Sequence, residues 1–390
     1  MGVEYKYQII LLGKYEEIKE TIVNLFFEKI AELNLQKDFY KIILSHEVEE
    51  QYKGNQPVFT LYFGEKVDEF IDVDIVTKLL KEGNTVLPIY YNSFEVEIPR
   101  VLGNQNGLKW NDSQNERVVN LILESFGKLR NTRKVFISYR RCESTSVAIQ
   151  LYEALERCNF DVFLDTHSIK QGEPFQDELW HRMADCDVII LLNTPEFLES
   201  GWCEKEIAEA SAKQIGVLQL VWPTHKLARM AELCFLQGLK EEDFVNHIYS
   251  DKDKSKLEED IVEDIVRKVE SIRARNLAAR QDNLITEFLN LAKKNGKEVS
   301  IQPERFITED LLGKKKRIFI PSVGIPQSTD YNQSSELKKE INEYSVEDIY
   351  LIYDNIRIRE KWLHHLDYLN EYLDVKTIKK QDFDIWLKEN

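Results

Sequence analysis

Two arginines at the end of an apolar run are the first residues with a clear chemical use. Arg140 and Arg141 follow KVFISY (134–139), which has the composition of a buried strand. A guanidinium group presents a fork of N–H donors that matches phosphate oxygens, so the pair could bind a phosphorylated ligand. Consecutive side chains diverge, and either arginine could instead pair with Asp165 or form a surface salt bridge.

A tryptophan and a glutamate at helical spacing form the second chemical feature. Trp202 and Glu206 are four residues apart, and CEKEIAEASAK (203–213) is predicted to be a helix. Side chains at this spacing stack on one face of a helix. Glu206 could also be an ordinary exposed glutamate, because Glu204 and Glu209 are close by, and Trp202 taken alone fits packing better than a site role.

Alternating strands and helices position these residues. The predicted strands are 134–139, 161–165, 187–193 and 216–222, and the predicted helices are 146–160, 175–186 and 203–213. Strict alternation indicates a parallel sheet with right-handed crossovers. Ligands bind such sheets at the carboxyl ends of the strands, which is where the arginines and the Trp202–Glu206 pair should lie.

Four stretches carry a resemblance to a known family. They are FISYRR (136–141), FLD with the loop I-x-x-G-E-x-F (163–175), CDVIILL (186–192) and Trp-Cys-x-x-Glu (202–206). In this order and spacing they resemble a bacterial Toll/interleukin-1 receptor (TIR) domain over residues 134–250. The resemblance implies a flavodoxin-like α/β fold with a parallel sheet. It also implies an enzyme that cleaves the nicotinamide–ribose bond of NAD, by hydrolysis or cyclisation.

The resemblance, together with the chemistry of NAD cleavage, gives each candidate site residue an expected role. Glu206 matches the catalytic carboxylate, and Trp202 and Phe175 are expected to shape the pocket. The remaining substrate-binding residues are Arg140, Arg141, Asp165 and Tyr139. Nicotinamide is cationic in NAD and leaves as a neutral base, so a single carboxylate facing the developing cation can suffice without a general acid. NAD is therefore expected as substrate, with no cofactor and no metal.

Two other functions remain open at this point. The family includes TIR domains that only scaffold protein assembly, and the fold cannot separate these from the enzymes. An intact Trp202–Glu206 pair favours the enzyme. A related ribosyl-transfer enzyme on a similar sheet is the third alternative. Family members act when TIR domains associate, which implies a homo-oligomer with an unknown trigger, and a role in bacterial antiphage immunity is expected.

Composition limits the partners and the compartment. The 390-residue chain carries a formal charge of −16, which argues against a nucleic-acid binder with a broad basic face. Its five cysteines are irregularly spaced, which fits a reducing compartment. No apolar run approaches 18 residues and no signal peptide is recognisable. A soluble cytoplasmic protein is therefore expected.

Three domains are predicted, at 1–131, 132–252 and 253–390. The first resembles a degenerate TIR-like α/β domain, because DEFIDVDIVTKLL (68–80) has no tryptophan and offers Ile75 or Val76 where the catalytic glutamate belongs. Its role is expected in assembly or in sensing a trigger. The third reads as a charged helical linker followed by an α/β domain. Regulation or assembly is its expected role.

Overall fold

The computed structural model describes residues 6–390 apart from 34, 55, 67–69, 112–113, 131, 165–174, 196–214, 224, 226–234, 303–304, 314 and 342–343. The side chains of 175–179 and of 340 also lie outside the description. The chain forms two compact units, 1–131 and 132–390. The predicted boundary at 252 falls inside the second unit, and the three-domain division stays a prediction.

The first unit is built on a parallel sheet. Its described strands are β1 (Tyr7–Gly13), β2 (Tyr40–Leu44), β3 (Val58–Phe63), β4 (Thr85–Tyr90) and β5 (Leu108–Lys109). Its described helices are α1 (Lys19–Glu32), α2 (Val48–Gln51), α3 (Val73–Lys81), α4 (Phe94–Glu97) and α5 (Asn115–Ser125). The strand order is β2-β1-β3-β4-β5, with every pair parallel. The central strands β1 and β3 are buried along their whole length, as their apolar sequences require.

A structural carboxylate occupies the carboxyl edge of this first sheet. Asp72 precedes α3 and accepts hydrogen bonds from the Gly13 backbone N–H, at 2.9 Å, and from the Ser45 hydroxyl. It therefore ties the ends of β1 and β2 together. Val76, one of the two residues predicted to stand where a catalytic glutamate belongs, is fully buried in the core.

A second buried carboxylate in this unit provides a test of stability against pH. Glu97 is 4% exposed and accepts hydrogen bonds from three backbone N–H groups, those of Tyr91, Asn92 and Ser93, at 2.6, 2.9 and 3.0 Å. Burial raises the pKa of Glu97, but the three donors outweigh burial, so its pKa lies below the ordinary value. Because the folded pKa is lowered, this stabilisation is present above the unfolded pKa and is lost as the pH falls through the folded one.

Glu97→Gln is expected to destabilise the first unit by about 1–3 kcal/mol at neutral pH, because one amide oxygen cannot satisfy three donors. The stability of the variant should also fall less as the pH is lowered, because the amide that replaces the carboxylate does not titrate. Hydrogen exchange of the amides around α4, followed in the full chain from neutral to acidic pH, measures both effects. Glu95→Gln, at an exposed position of the same helix, is the matched control. Equal protection in both variants would contradict the assignment.

The second unit begins with another parallel sheet. Its described strands are β6 (Lys134–Ser138), β7 (Asp161–Leu164), β8 (Val188–Asn193), β9 (Gly216–Val221) and β10 (Phe235–Gly238), and its described helices are α6 (Thr145–Arg157) and α7 (Phe175–Asp185). The strand order across the sheet is β10-β9-β8-β6-β7. Counted along the chain from β6, and taken from the edge formed by β7, this order is 2-1-3-4-5. The first unit follows the same sequence of positions, so both sheets have the flavodoxin-like order. The predicted α/β fold with a parallel sheet is confirmed.

A mixed sheet follows in the C-terminal part of the second unit. Its described elements are α8 (Glu259–Lys294), β11 (Val299–Ile301), β12 (Ile307–Asp310), β13 (Lys315–Ser322), α9 (Ser328–Glu340), β14 (Ser345–Tyr353), α10 (Glu360–Tyr372), β15 (Val375–Lys379) and α11 (Phe383–Glu389). The strand order is β11-β12-β13-β14-β15. The first three strands pair antiparallel and the last three pair parallel. The predicted C-terminal α/β domain is thereby confirmed as a fold.

The long helix α8 packs into the cores of both sheets of the second unit. Near its beginning, Ile265 and Val269 join the core formed with β6, β8 and β9. Near its end, Leu284 and Phe288 join the core of the mixed sheet. The segment predicted as a linker is therefore one helix that holds the two sheets together. Despite its length, α8 is too polar to span a bilayer, and among the described helices none is long and apolar enough to do so.

Candidate functional site

Two residues of the predicted site lie at the carboxyl edge of the β6–β10 sheet. Arg140 and Arg141 follow β6, as the sequence indicates. Phe175 is the first residue of α7. Glu206, Trp202 and Asp165 lie outside the described residues, so their placement relative to the arginines stays a prediction.

Arg140 takes part in a polar contact that bridges two strand ends. Its side chain is 36% exposed, and its Nη1 lies 4.0 Å from Oε2 of Glu143. The same carboxylate oxygen accepts a hydrogen bond from the hydroxyl of Thr194, which directly follows β8. Glu143 therefore links the end of β6 to the end of β8 and holds Arg140 close to both. Sequence reasoning missed Glu143 and Thr194, although the spacing of three residues from Arg140 is a usual one for an ion pair.

The backbone after β6 forms the turn that starts α6. The carbonyl oxygen of Arg140 accepts hydrogen bonds from the backbone N–H groups of Glu143 and Ser144, each at 3.0 Å. The carbonyl of Arg141 accepts from the hydroxyl of Thr145 at 2.7 Å. Arg141 itself is exposed, whereas Arg140 is partly buried. The two neighbouring arginines are thus in different environments, and Arg140 is the better placed to face a ligand at the sheet edge.

Tyr139 lies in the core. It is 4% exposed and clusters with Ile137, Leu192 and residues of α6. This is the face of the sheet opposite to the one that carries Phe136 and Leu191. Contact of Tyr139 with substrate stays a prediction, whereas its packing against the α6 side is clear from the structure.

Three buried polar side chains at or near the same edge escaped the sequence reasoning. Ser138, Asn193 and Gln219 belong to the adjacent strands β6, β8 and β9, and each is fully buried. Ser138 is in register with Leu191, and Leu191 with Gln219, so these positions share the face of the sheet that packs against α7. Within the described structure, the Ser138 hydroxyl and both amide atoms of Asn193 and of Gln219 have no hydrogen-bond partner.

Unpaired polar groups in a core are costly, and here three side chains that carry them lie on neighbouring strands. Leaving a buried donor or acceptor without a partner costs about 1–3 kcal/mol. Native structures contain few such groups, and they are often found where a ligand or water belongs. The only signal in the sequence is a polar residue at the end of an otherwise apolar strand, as in VIILLN (188–193).

Metal ligands are a separate question, since a metal could also activate water. Among the described residues, no group of three or more histidine, cysteine, aspartate or glutamate side chains could hold a metal ion. The polar groups found at the sheet edge are a guanidinium group, a carboxylate, hydroxyls and amides. Such groups suit a ligand with phosphates and hydroxyls.

Comparison with known proteins shows which family the sequence around the sheet edge resembles. The family described as "TIR domain" matches residues 135–265. The 2' cyclic ADP-D-ribose synthase BtTIR of Bacteroides thetaiotaomicron is 23% identical over 112 residues, which cover 28% of this chain and 39% of that protein. The probable 2' cyclic ADP-D-ribose synthase BdTIR of Brachypodium distachyon is 28% identical over 76 residues, covering 19% of this chain and 34% of that protein. The aligned parts thus span less than half of either relative.

Likeness to solved structures is weak over the whole chain. Proximal thread matrix protein 1 of the mussel byssus has a TM-score of 0.21 and 12% identity, covering 70% of this chain and 97% of that one. The family match, by contrast, coincides with the sheet of β6–β10, the arginines that follow β6 and the start of α8. Residues 135–265 of this chain therefore form a TIR domain.

Proposed function

We propose that the TIR domain of this chain cleaves the bond between nicotinamide and ribose in NAD. In hydrolysis, water adds to the anomeric carbon, nicotinamide leaves with the bonding electrons, and the water gives up one proton. In cyclisation, a hydroxyl of the ADP-ribose part replaces water and loses the proton. The observation that carries the proposal is the similarity of this domain to two proteins named as 2' cyclic ADP-D-ribose synthases.

Glu206 is the proposed catalytic residue. Nicotinamide bears a positive charge in NAD and departs neutral, so its departure requires no proton donor. The developing positive charge lies on the ribose, where a carboxylate stabilises it. Trp202 and Phe175 are proposed to wall the pocket, and Asp165 and Tyr139 complete its substrate-binding residues. NAD is the substrate, and the proposed reaction needs neither a cofactor nor a metal.

Arg140 is the proposed contact for the pyrophosphate, with Arg141 as the alternative. The support is the position of Arg140 at the carboxyl edge, beside Glu143 and Thr194. A guanidinium group that is partly buried loses less rotamer freedom on binding an anion than a fully exposed one. The carboxylate of Glu143 partly offsets the positive charge of Arg140. Arg140 should therefore orient the pyrophosphate more than it attracts NAD to the site.

The proposed setting is bacterial antiphage immunity in the cytoplasm, with NAD cleavage following an unknown trigger. Unregulated loss of NAD is toxic, so the enzyme must be inactive until triggered. Assembly through TIR–TIR contacts is the proposed control, and the first unit and the mixed sheet are the proposed sites of regulation. The support is that neither of these parts belongs to the matched residues, apart from the start of α8.

The function is tested by incubating the full chain with NAD over a wide range of protein concentration and separating the products by chromatography. We expect nicotinamide in equal amount to linear or cyclic ADP-ribose, with a specific rate that rises as the protein associates. Transfer of the ribose to another base would indicate the related ribosyl-transfer enzyme. No nicotinamide at any protein concentration, with the domain folded, would leave a scaffold as the function.

The unpaired amide of Asn193 allows a prediction that separates stability from activity. Asn193→Leu should raise the free energy of unfolding by about 1 kcal/mol, because it removes a buried amide that has no partner in the described structure. NAD cleavage should fall about tenfold, since a destabilising polar group at a site is commonly retained for function. Thr60→Val, which removes a similarly unpaired buried hydroxyl in the first unit, is the control. It should stabilise the protein and leave the rate unchanged.

A further inference from the structure

The helix α7 connects the two edges of the TIR sheet. It begins at Phe175 and ends at Asp185, and its 11 residues give it a length of about 16 Å. Asp185 forms an ion pair with Lys134, the first residue of β6, so α7 ends at the amino edge of the sheet. A helix that joins two parallel strands runs antiparallel to them, which places Phe175 at the end of α7 nearer the carboxyl edge.

A residue of α8 completes the last turn of α7. Arg280 donates from Nη1 to the carbonyl oxygen of Cys186 at 2.8 Å and from Nη2 to that of Ala184 at 2.9 Å. The last carbonyl groups of a helix have no partner within the helix, and a cation beside them also interacts favourably with the helix dipole. Arg280 lies beyond residue 265, where the family match ends. The end of α7 is therefore stabilised from outside the TIR domain.

The mixed sheet makes a second contact with the same end of α7. Asp185 is 9% exposed and accepts a hydrogen bond from the backbone N–H of Ile325 at 2.9 Å. Ile325 follows β13 and belongs to the core of the mixed sheet, together with Tyr331 and Leu351. Because the donor is a backbone group next to a packed core, Asp185 is tied to the mixed sheet as well as to the start of β6.

The segment that leads into α10 contacts the middle of α7. His181 is 4% exposed, and its ring stacks on that of Trp362, with ring centres 5.5 Å apart and planes 19° apart. Its Nδ1 accepts a hydrogen bond from the backbone N–H of Arg359 at 3.4 Å. One residue earlier, the ring of Trp180 lies 5.4 Å from the guanidinium carbon of Arg357. The mixed sheet and its loops therefore contact α7 along its second half.

We infer that Trp362 and Arg280 are positioning residues for the proposed reaction, because they hold α7 so that Phe175 keeps its place in the NAD pocket. The inference rests on the proposed function and extends the working unit of the enzyme beyond residues 135–265 to α8 and the mixed sheet. The contacts lie in the second half of α7, so they support the helix without occupying the pocket at its first turn. A displacement of about 1 Å at a site is enough to impair it, even when the altered residue is remote.

The first test compares the kinetics of Trp362→Ala with those of the parent, both as the full chain. We expect the KM for NAD to rise about tenfold and kcat to stay within about threefold, because Phe175 is a proposed wall of the pocket whereas Glu206 belongs to another predicted helix. Partial unfolding has a different signature, since it reduces the amount of active enzyme and so lowers the apparent kcat at an unchanged KM.

Two further variants of α10 serve as controls. Trp362→Phe keeps a ring that can stack on His181, so it should restore most of the parent's KM. Tyr368→Ala removes an aromatic side chain that is 57% exposed on the same helix, and its KM should equal that of the parent. An increase of KM in Tyr368→Ala as large as in Trp362→Ala would overturn the assignment to Trp362.

A double variant tests whether Trp362 acts through Phe175. If it does, Phe175→Ala combined with Trp362→Ala should have the KM of Phe175→Ala alone, because the wall that Trp362 positions is already missing. Multiplication of the two single effects would show that Trp362 acts on the reaction by another route, and it would overturn the inference.

Hydrogen exchange in the absence of NAD measures the coupling directly. We expect Trp362→Ala and Arg280→Met to speed exchange of the hydrogen-bonded amides of α7 severalfold, with exchange of β8 unchanged. Unchanged exchange of α7 in both variants overturns the inference, and so does an active parent whose two variants keep its KM. A parent that releases no nicotinamide would overturn the proposed function and this positioning role together, so the two kinds of failure are distinguished.

Discussion

Glu206→Gln should reduce nicotinamide release by about 10²–10³-fold, the usual cost of removing one group that stabilises transition-state charge. Glutamine has nearly the same size and shape as glutamate but carries no negative charge. The variant therefore tests the charge of the side chain and not its volume. Initial rates of nicotinamide release at saturating NAD, measured by chromatography, give the effect on kcat directly.

The neighbouring glutamates provide matched controls for this substitution. Glu204→Gln and Glu209→Gln lie on the same predicted helix and change the net charge equally. We expect their rates to stay within about twofold of the parent, because a charge outside the pocket is screened by solvent. If all three variants lost activity to the same extent, the effect would come from the helix and not from one catalytic carboxylate. A Glu206→Gln variant with full activity would exclude Glu206 as the catalytic residue.

The central strands of the two parallel sheets could be predicted from sequence because they are almost entirely apolar. The strand VIILLN (188–193) is buried at every position, which is the pattern expected of a central parallel strand. In the second unit, alternation with helices then indicated a parallel sheet, and the family resemblance implied the order of its strands. The short strands β11 and β12 escaped prediction, because three- and four-residue strands with polar residues have too little periodicity to be recognised.

The packing of α8 could not be predicted for a different reason. Its sequence is highly charged, which favours a solvated linker helix. Several of the charges are nonetheless buried, because partners elsewhere in the fold neutralise them. Glu270 forms an ion pair with Arg133, and Arg273 pairs with Asp187. Sequence alone does not show which charged residues find such partners.

The residues of the site also divide into two kinds. Some can be placed from their position along the chain, and others depend on which strands are neighbours in the sheet. Strand ends can be read along the chain, so the position of Arg140 at the carboxyl edge followed from the sequence. The contact between Glu143 and Thr194 depends on which strands lie side by side. The set formed by Ser138, Asn193 and Gln219 also depends on strand register, and it becomes visible only when three strands are aligned.

The second large effect concerns the buried ion pair between Arg273 and Asp187. Both side chains are fully buried, and Nε of Arg273 donates to Oδ2 of Asp187 at 3.0 Å. Asp187 precedes β8, and its Oδ2 also accepts from the backbone N–H of Lys134 at 3.2 Å. The pair therefore fastens α8 to the two central strands of the TIR sheet.

Arg273→Met is expected to destabilise the second unit by about 3–5 kcal/mol, because it leaves a buried carboxylate without its counter-charge. Methionine replaces most of the apolar part of the arginine side chain, so the loss of packing is small. The effect is measured by urea unfolding of the full chain, with hydrogen exchange of β8 and α8 to locate it. Arg267→Met on the same helix is the control, since its pair with Asp264 is partly exposed to solvent and should contribute less than about 1 kcal/mol.

The double variant Arg273→Met with Asp187→Asn separates the lost attraction from the cost of an unpaired charge. Asparagine keeps an oxygen for the N–H of Lys134 but carries no charge. Because a neutral replacement of a buried ion pair is often tolerated, the double variant should be more stable than Arg273→Met alone. If it were no more stable than Arg273→Met, the unpaired charge would not be the cost, and loss of the attraction within the pair would account for the whole effect. Recovery in the double variant would show instead that apolar packing by residues such as Ile265 and Val269 holds the helix in place.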